Sequence, residues 1–361
     1  MEISDGSFGR TGNSIGFLRL LLAALVIYSH ARLLGGFSPE PLLRWTHEML
    51  FAGLVGVQCF FVLSGFLVAT SYRRLKSPLR FLWHRALRLF PGCWLCLAFT
   101  ALVLGPIIYF TSFHTSGYFE QKPSPLGYIW HNLVVPRHQI GIGGLVADNP
   151  RGTDLNGSLW TLFYEGACYL FVAGIGAVGL LGRGRFVWLA LWVLAMMGCA
   201  FYSSGVALGL ASRLYDTSGK LLCLHFVAGV VWAAFPEIAA VIVRRHWPAL
   251  LGAVTLVAAW RLHGGACVSP LLLPLILFWL AMHLPLRDWE NRLGGDYSYG
   301  LYVFGYPVQQ TLAHFGVHHA GFGPYFFTSF GGALVLAVLS WRFVEAPALG
   351  LKRIFDRPTS P

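Results

Sequence analysis

The chain has 361 residues, 56% of them hydrophobic and only 11% charged, with a formal net charge of +11. Soluble domains carry roughly 25% charged residues, so that composition and a mean hydropathy of +0.62 exclude a string of soluble domains and indicate an integral membrane protein. The basic residues lie between apolar runs, as the positive-inside rule expects, which excludes a nucleic-acid partner as the reason for the charge.

A membrane span needs about 20 mainly apolar residues. Ten runs qualify as candidate spans: roughly 15–34, 50–72, 90–112, 158–181, 186–208, 220–242, 248–263, 267–284, 297–316 and 322–349. The expected fold is therefore all-α, a polytopic transmembrane helix bundle of about ten spans. The whole chain, 1–361, reads as one membrane domain with a short polar tail at 1–14, an outer loop at about 113–157 and a basic tail at 350–361. No small-residue cleavage site follows the first run, so it reads as a retained helix rather than a signal peptide. With both termini cytoplasmic, the inner loops hold about twice as many Lys and Arg as the outer ones. The cluster Arg73, Arg74, Lys76, Arg80, Arg85 and Arg88 anchors the inner end of the second span.

Arg19 and His30 sit inside the first run, SIGFLRLLLAALVIYSHARLLGGF. Eleven helical residues turn through about 1100° and rise about 16 Å, so the two side chains face the same way at two depths. Ionisable groups in a span are costly and usually face a bundle interior or an aqueous cavity. Taken singly, Arg19 reads as a snorkelling side chain and His30 as a hydrogen-bonded core histidine. Their shared face makes them a candidate catalytic pair, because a neutral imidazole can take a proton from a hydroxyl.

Further along, RFLWHRALRLFPGCW places Arg85 and Arg88 at i and i+3 on one helix face. Two guanidinium forks there suit a phosphate or pyrophosphate, with anchoring to headgroups as the plainer role. The outer loop carries His114, His131, His138, Asp148 and Asp154 without regular metal spacing, so no metal is expected, and its length suits covering an external substrate. Cys93 and Cys96 form a CxxC inside an apolar run with no second pair nearby, which reads as small apolar side chains.

In NGSLWTLFYEGACYLF, Glu165 lies seven residues into its span, where it can orient His30, pair with Arg19 or bind a substrate hydroxyl. Trp160 and Tyr164, at i and i+4, can offer aromatic surface to a sugar or a pantetheine arm, or simply face lipid. GGDYSYGLYVFGYPVQQ gathers Asp296, Tyr297, Ser298, Tyr299 and Tyr302 at the start of the ninth run. Tyr299 and Tyr302 are candidate substrate contacts there and otherwise interfacial belt tyrosines. WRFVEAP places Arg342 and Glu345 at i and i+3, the spacing of a helix-end ion pair.

Together these segments resemble the acyltransferase-3 family of membrane O-acyltransferases. The resemblance is carried by Arg19-x10-His30, FFVLSGFL (60–67), RALRLFP (85–91), SLWTLFYE (158–165), SYGLYVFGYPV (298–308) and FVEAP (343–347), in order along nearly the whole chain. It implies acyl transfer in a multi-pass protein of the bacterial inner membrane, with acetyl-CoA or another acyl-CoA as co-substrate and no permanently bound cofactor. The acceptor it implies is a glycan or another hydroxyl-bearing molecule. By the same resemblance, His30 and Arg19 are catalytic and Arg85 and Arg88 serve the acyl donor. Gly305 stands where many members carry a histidine. The rival reading, a transporter or flippase of a lipid-linked sugar, uses the same intramembrane charges as a pathway, but the chain shows no repeated halves or paired broken helices.

Overall fold

The apolar runs fold as helices. A computed structural model describes residues 12–113, 117–134, 138–152, 154–203, 218–287 and 289–355. It is 79% helix, without a strand among the described residues. His114, most of the amino-terminal tail, the end of the fifth expected span and the last six residues lie outside the described residues.

In chain order the main helices are α1 (Ile15–Leu34), α2 (Ala52–Leu75), α3 (Pro78–Phe99), α4 (Gly105–Phe113), α5 (Trp160–Ala177) and α6 (Arg185–Ser203). They are followed by α7 (Ser218–Ala234), α8 (Pro236–Val243), α9 (His246–Arg261), α10 (Gly265–His283), α11 (Ser298–His314) and α12 (Phe322–Ser340). Six stretches are long and apolar enough to cross a membrane: Ile15–Leu34, Ala52–Leu75, Pro78–Ser112, Gly157–Ala177, Gly265–His283 and Phe322–Ile354. Gly219–Ala234 and Pro236–Val243 form a seventh if counted as one span, bent by 98°. Of the remaining expected spans, α9 has 16 residues and α11 has 17, about 24–26 Å of helix. The third span is the largest difference in boundary. Its helix starts at Pro78 rather than near residue 90, because Pro91 is accommodated within α3 and does not terminate it. Arg80, Arg85 and Arg88 are thereby helical.

The helices divide into two compact units, with α1, α3 and α5 each passing from one to the other. One comprises Met1–Leu22, Pro41–Leu82 and Tyr164–Leu293. Its centre is the packing of α2 on α7 through glycine. A Cβ on Gly65 would strike the carbonyl oxygen of Phe226, and one on Gly229 would strike that of Val62. Small residues let helix backbones approach this closely in a membrane, where dispersion rather than the hydrophobic effect drives association. His225, fully buried on α7, meets the Leu221 carbonyl at 2.9 Å and the Ser269 hydroxyl at 3.0 Å. Pro236, which cannot donate to the preceding turn, ends α7 and opens α8 at a sharp angle.

The second unit comprises Ala23–Glu40, Trp83–Phe163 and Gly294–Pro361. Here α3 runs into a π-helical turn, Thr100–Leu104, before α4. The Tyr118 hydroxyl donates to the Ala101 carbonyl in that turn at 2.6 Å, and burial raises the Tyr118 pKa. The expected outer loop is built rather than loose. Ser124 caps Pro125–His131, accepting from the Gly127 amide at 2.9 Å. The Asn132 side chain donates to the Tyr128 and Gln139 carbonyls at 2.9 and 2.8 Å. Buried backbone groups in such a segment need partners, and these amide side chains supply them.

Candidate active site

His30 lies in the part of α1 that belongs to the second unit. Its ring is half-buried and meets Tyr306 edge-on, with ring centres 5.0 Å apart and planes at 75°. Among the described residues no hydrogen bond occupies its ring nitrogens. Helix α11 comes this close because of Gly305. A Cβ there would sit 2.8 Å from Ile27 Cγ1, one turn before His30, so a side chain at this position would require Ile27 to shift. The Gln309 side chain, 0% exposed, donates to the Ile27 carbonyl at 2.8 Å and locks the same contact. Tyr306 is seated over Gly157, where a Cβ would be 2.6 Å from the phenol ring. Beside His30, the Ser29 hydroxyl donates to Glu40 at 2.8 Å, and both residues are buried.

Around this group the entry to α5 is tightly bonded. Asn156 accepts from the Ser158 amide at 3.1 Å and from its hydroxyl at 2.6 Å, and donates to the Val303 carbonyl at 2.9 Å. The Tyr302 hydroxyl donates to the Ser158 carbonyl at 3.0 Å and meets Thr161 Oγ1 at 2.6 Å. Gln310 accepts from Asn149 at 2.7 Å and donates to the Arg151 and Asp154 carbonyls at 2.9 and 2.8 Å. These bonds hold the outer segment and α11 together, so Tyr302 serves packing as well as any substrate.

Arg88 has carboxylate partners. It is hydrogen-bonded to Asp296 and lies 3.7 Å from Glu345. The Tyr299 and Trp341 rings stand 5.6 and 5.8 Å from its guanidinium carbon. Asp296 also secures the entry to α11, accepting from the Ser298 amide at 3.2 Å and its hydroxyl at 2.5 Å. Glu345, 2% exposed, accepts from Ser340 at 2.7 Å within the turn that extends α12. Glu345 thus pairs with Arg88 of another helix, which the Arg342 spacing did not suggest. The Tyr299 hydroxyl donates to the Leu89 carbonyl at 2.5 Å. Arg85, one turn before Arg88 on α3, is half-buried.

The other expected residues divide between the units. Trp160, half-buried, opens α5 in the second unit. Arg19, Tyr164 and Glu165 belong to the first. There the Glu165 carboxylate accepts from the Tyr169 hydroxyl one turn later, and the Tyr164 ring rests against Gly219 of α7. No cluster of metal-ligating side chains occurs among the described residues. Tyr306, Glu40, Gln309 and Gln310 were missed by the sequence reading. The run GYPVQQ carried a usable signal, since adjacent amides inside an apolar helix are expensive unless buried and paired.

The acyltransferase-domain family model matches residues 13–342. The chain is similar to an O-acetyl transferase of Shigella phage Sf6, 27% identical over 353 residues that cover 92% of this chain and 95% of that one. It is also similar to Nodulation protein 10 of Rhizobium leguminosarum bv. viciae, 28% identical over 380 residues that cover 94% of each. No solved structure is significantly similar to it. An enzyme rather than a carrier follows. With membrane-length helices and a family match over nearly its whole length, the chain belongs to the acyltransferase-3 family, as a multi-pass membrane acyltransferase of groups other than aminoacyl.

Proposed function

We propose that the protein is an O-acyltransferase that moves an acyl group, acetyl first among the possibilities, from cytoplasmic acyl-CoA to a hydroxyl of a glycan or related acceptor on the outer side. The likeness to the phage O-acetyl transferase supports acetyl transfer to oxygen. The observation that carries the reading is His30, held in place by Tyr306 with its ring nitrogens not engaged within the described protein. In this reading the chain forms one domain of ten spans, α9 and α11 included, with both termini cytoplasmic and in the bacterial inner membrane. The count of basic residues supports that orientation.

His30 accepts the proton of the acceptor hydroxyl as the oxygen attacks the thioester carbonyl. The carbon–sulfur bond then breaks, and the coenzyme A sulfur takes up the proton from the imidazolium. Transfer through an acyl-histidine uses the same residue as nucleophile. Arg85 is assigned the donor phosphates. Arg88, already committed to Asp296 and Glu345, secures the start of α11. Arg19, about 16 Å from His30 along α1, is assigned to the donor or to the charge that develops during transfer. Glu165 is assigned to acceptor hydroxyls and Trp160 to the face of a sugar ring or the pantetheine arm. Tyr164, Tyr299 and Tyr302 support the helices that carry the site.

Labelled acetyl-CoA supplied to membranes holding the full chain tests this reading, with label in the glycan fraction and released free thiol both measured. His30→Ala is expected to lower label transfer by about 10²–10⁴-fold at unchanged membrane insertion. Full transfer by that variant would overturn it.

A further inference from the structure

A groove in the first unit is lined by none of the residues assigned to acyl transfer. It encloses about 510 Å³ where α8, α9 and α10 meet, and its walls include Val241, Trp247, Leu251, Gly252 and Leu275. A single cation, Arg245, lines it. Helix α8 is turned 98° from α7, burying Ala239, Ala240 and Val243 while leaving Ile238 and Val241 more than half exposed. A short helix lying across a span with apolar residues outward is suited to the membrane–water boundary. Its end supplies Arg244 and Arg245, both exposed. Arg245 then starts α9, and no side chain caps the first-turn amides of that helix. The floor is closed at Gly252, where a Cβ would meet Leu275 Cδ1 at 3.5 Å, so α10 backs the groove.

The groove thus has apolar walls, one basic end and uncapped helix amides beside that end. Aliphatic walls match an acyl chain. Two guanidinium groups and a helix N-terminus match a phosphate without a neutralising cation. Free phosphate would leave the walls unfilled, and a zwitterionic headgroup would bring its own positive charge to the arginines. We propose that this groove is a binding site for one anionic phospholipid, its acyl chain lying along the walls that α8, α9 and α10 provide and its phosphate held by Arg245, with the exposed Arg244 beside it.

Native mass spectrometry of the full chain, released from detergent after titration with phosphatidylglycerol or phosphatidylcholine, tests the site. One phosphatidylglycerol per chain should survive activation that strips phosphatidylcholine. Combined Arg244→Gln and Arg245→Gln, at exposed positions, should lower phosphatidylglycerol occupancy by about tenfold or more without changing the melting temperature of lipid-free protein. Gly252→Phe, which fills the floor, should abolish retention of both lipids. Equal retention of the two lipids by the unaltered chain would overturn the proposal, as would full phosphatidylglycerol occupancy in the double variant. So would a groove occupied by a second copy, seen as a dimer that Gly252→Phe dissociates and the arginine changes leave intact.

Discussion

Arg85 and Arg88 show how two residues of one motif can part company. Both lie on one face of α3, and from spacing alone they are interchangeable. Arg88 has two carboxylates against it, Asp296 from the entry to α11 and Glu345 from the turn after α12. Removing one partner from a buried ion pair leaves the others as uncompensated charge, which costs about 3–5 kcal/mol. Arg88→Ala is therefore expected to lower the melting temperature of the solubilised protein and its activity together. Arg85→Ala is expected to raise KM for acyl-CoA. Equal melting temperatures for Arg88→Ala and the unaltered protein would refute this division. The spacing puts both arginines on one helix face, but the carboxylate partners of Arg88 lie more than 200 positions away and no local pattern encodes them. Glu165 illustrates the converse: a carboxyl at that depth had three possible partners from sequence, and the bond it makes is to Tyr169 on its own helix.

At the scale of elements, apolar length alone was enough to locate α1, α2 and α10, whose boundaries fall within a few residues of those expected. Proline was the less reliable marker. Pro91 reads as a boundary yet sits inside α3, whereas Pro236 does divide α7 from α8. The difference is that a membrane helix tolerates proline when neighbouring groups satisfy the freed carbonyls. The glycine contacts between α2 and α7 were also hidden, because FFVLSGFL shows that a glycine is present but not which helix crosses it. Gly65→Leu places a side chain where the Phe226 backbone already lies. The separation of the two helices that follows should destabilise the fold by at least the 1–3 kcal/mol typical of overpacking. Thermal unfolding in detergent measures this, and a melting temperature equal to that of the unaltered protein would show that the contact is dispensable.

For the whole molecule, six helices, or seven counting the bent pair, satisfy length and apolarity for crossing a membrane among the described residues, where the sequence led to an expectation of ten. Helix α9 is one of the three that separate these counts, with α6 and α11, because its 16 residues span about 24 Å, short of an average hydrocarbon core of about 30 Å. In a cysteine-free background, Arg244→Cys should react with an impermeant maleimide only after permeabilisation. His263→Cys should react on intact cells. Reaction of both from the same side would remove α9 from the spans. Composition and charge distribution determined that this is an all-helical membrane protein, since a backbone in hydrocarbon must satisfy its own polar groups, and the Arg19–His30 spacing raised the expectation of chemistry on its first helix. The tertiary structure alone decided that Tyr306 stands against His30, that Gly305 lies against Ile27, and that Arg88 is paired. Those outcomes depend on which helix surfaces meet, and in a membrane that is set by close packing between segments far apart in the chain rather than by any local period.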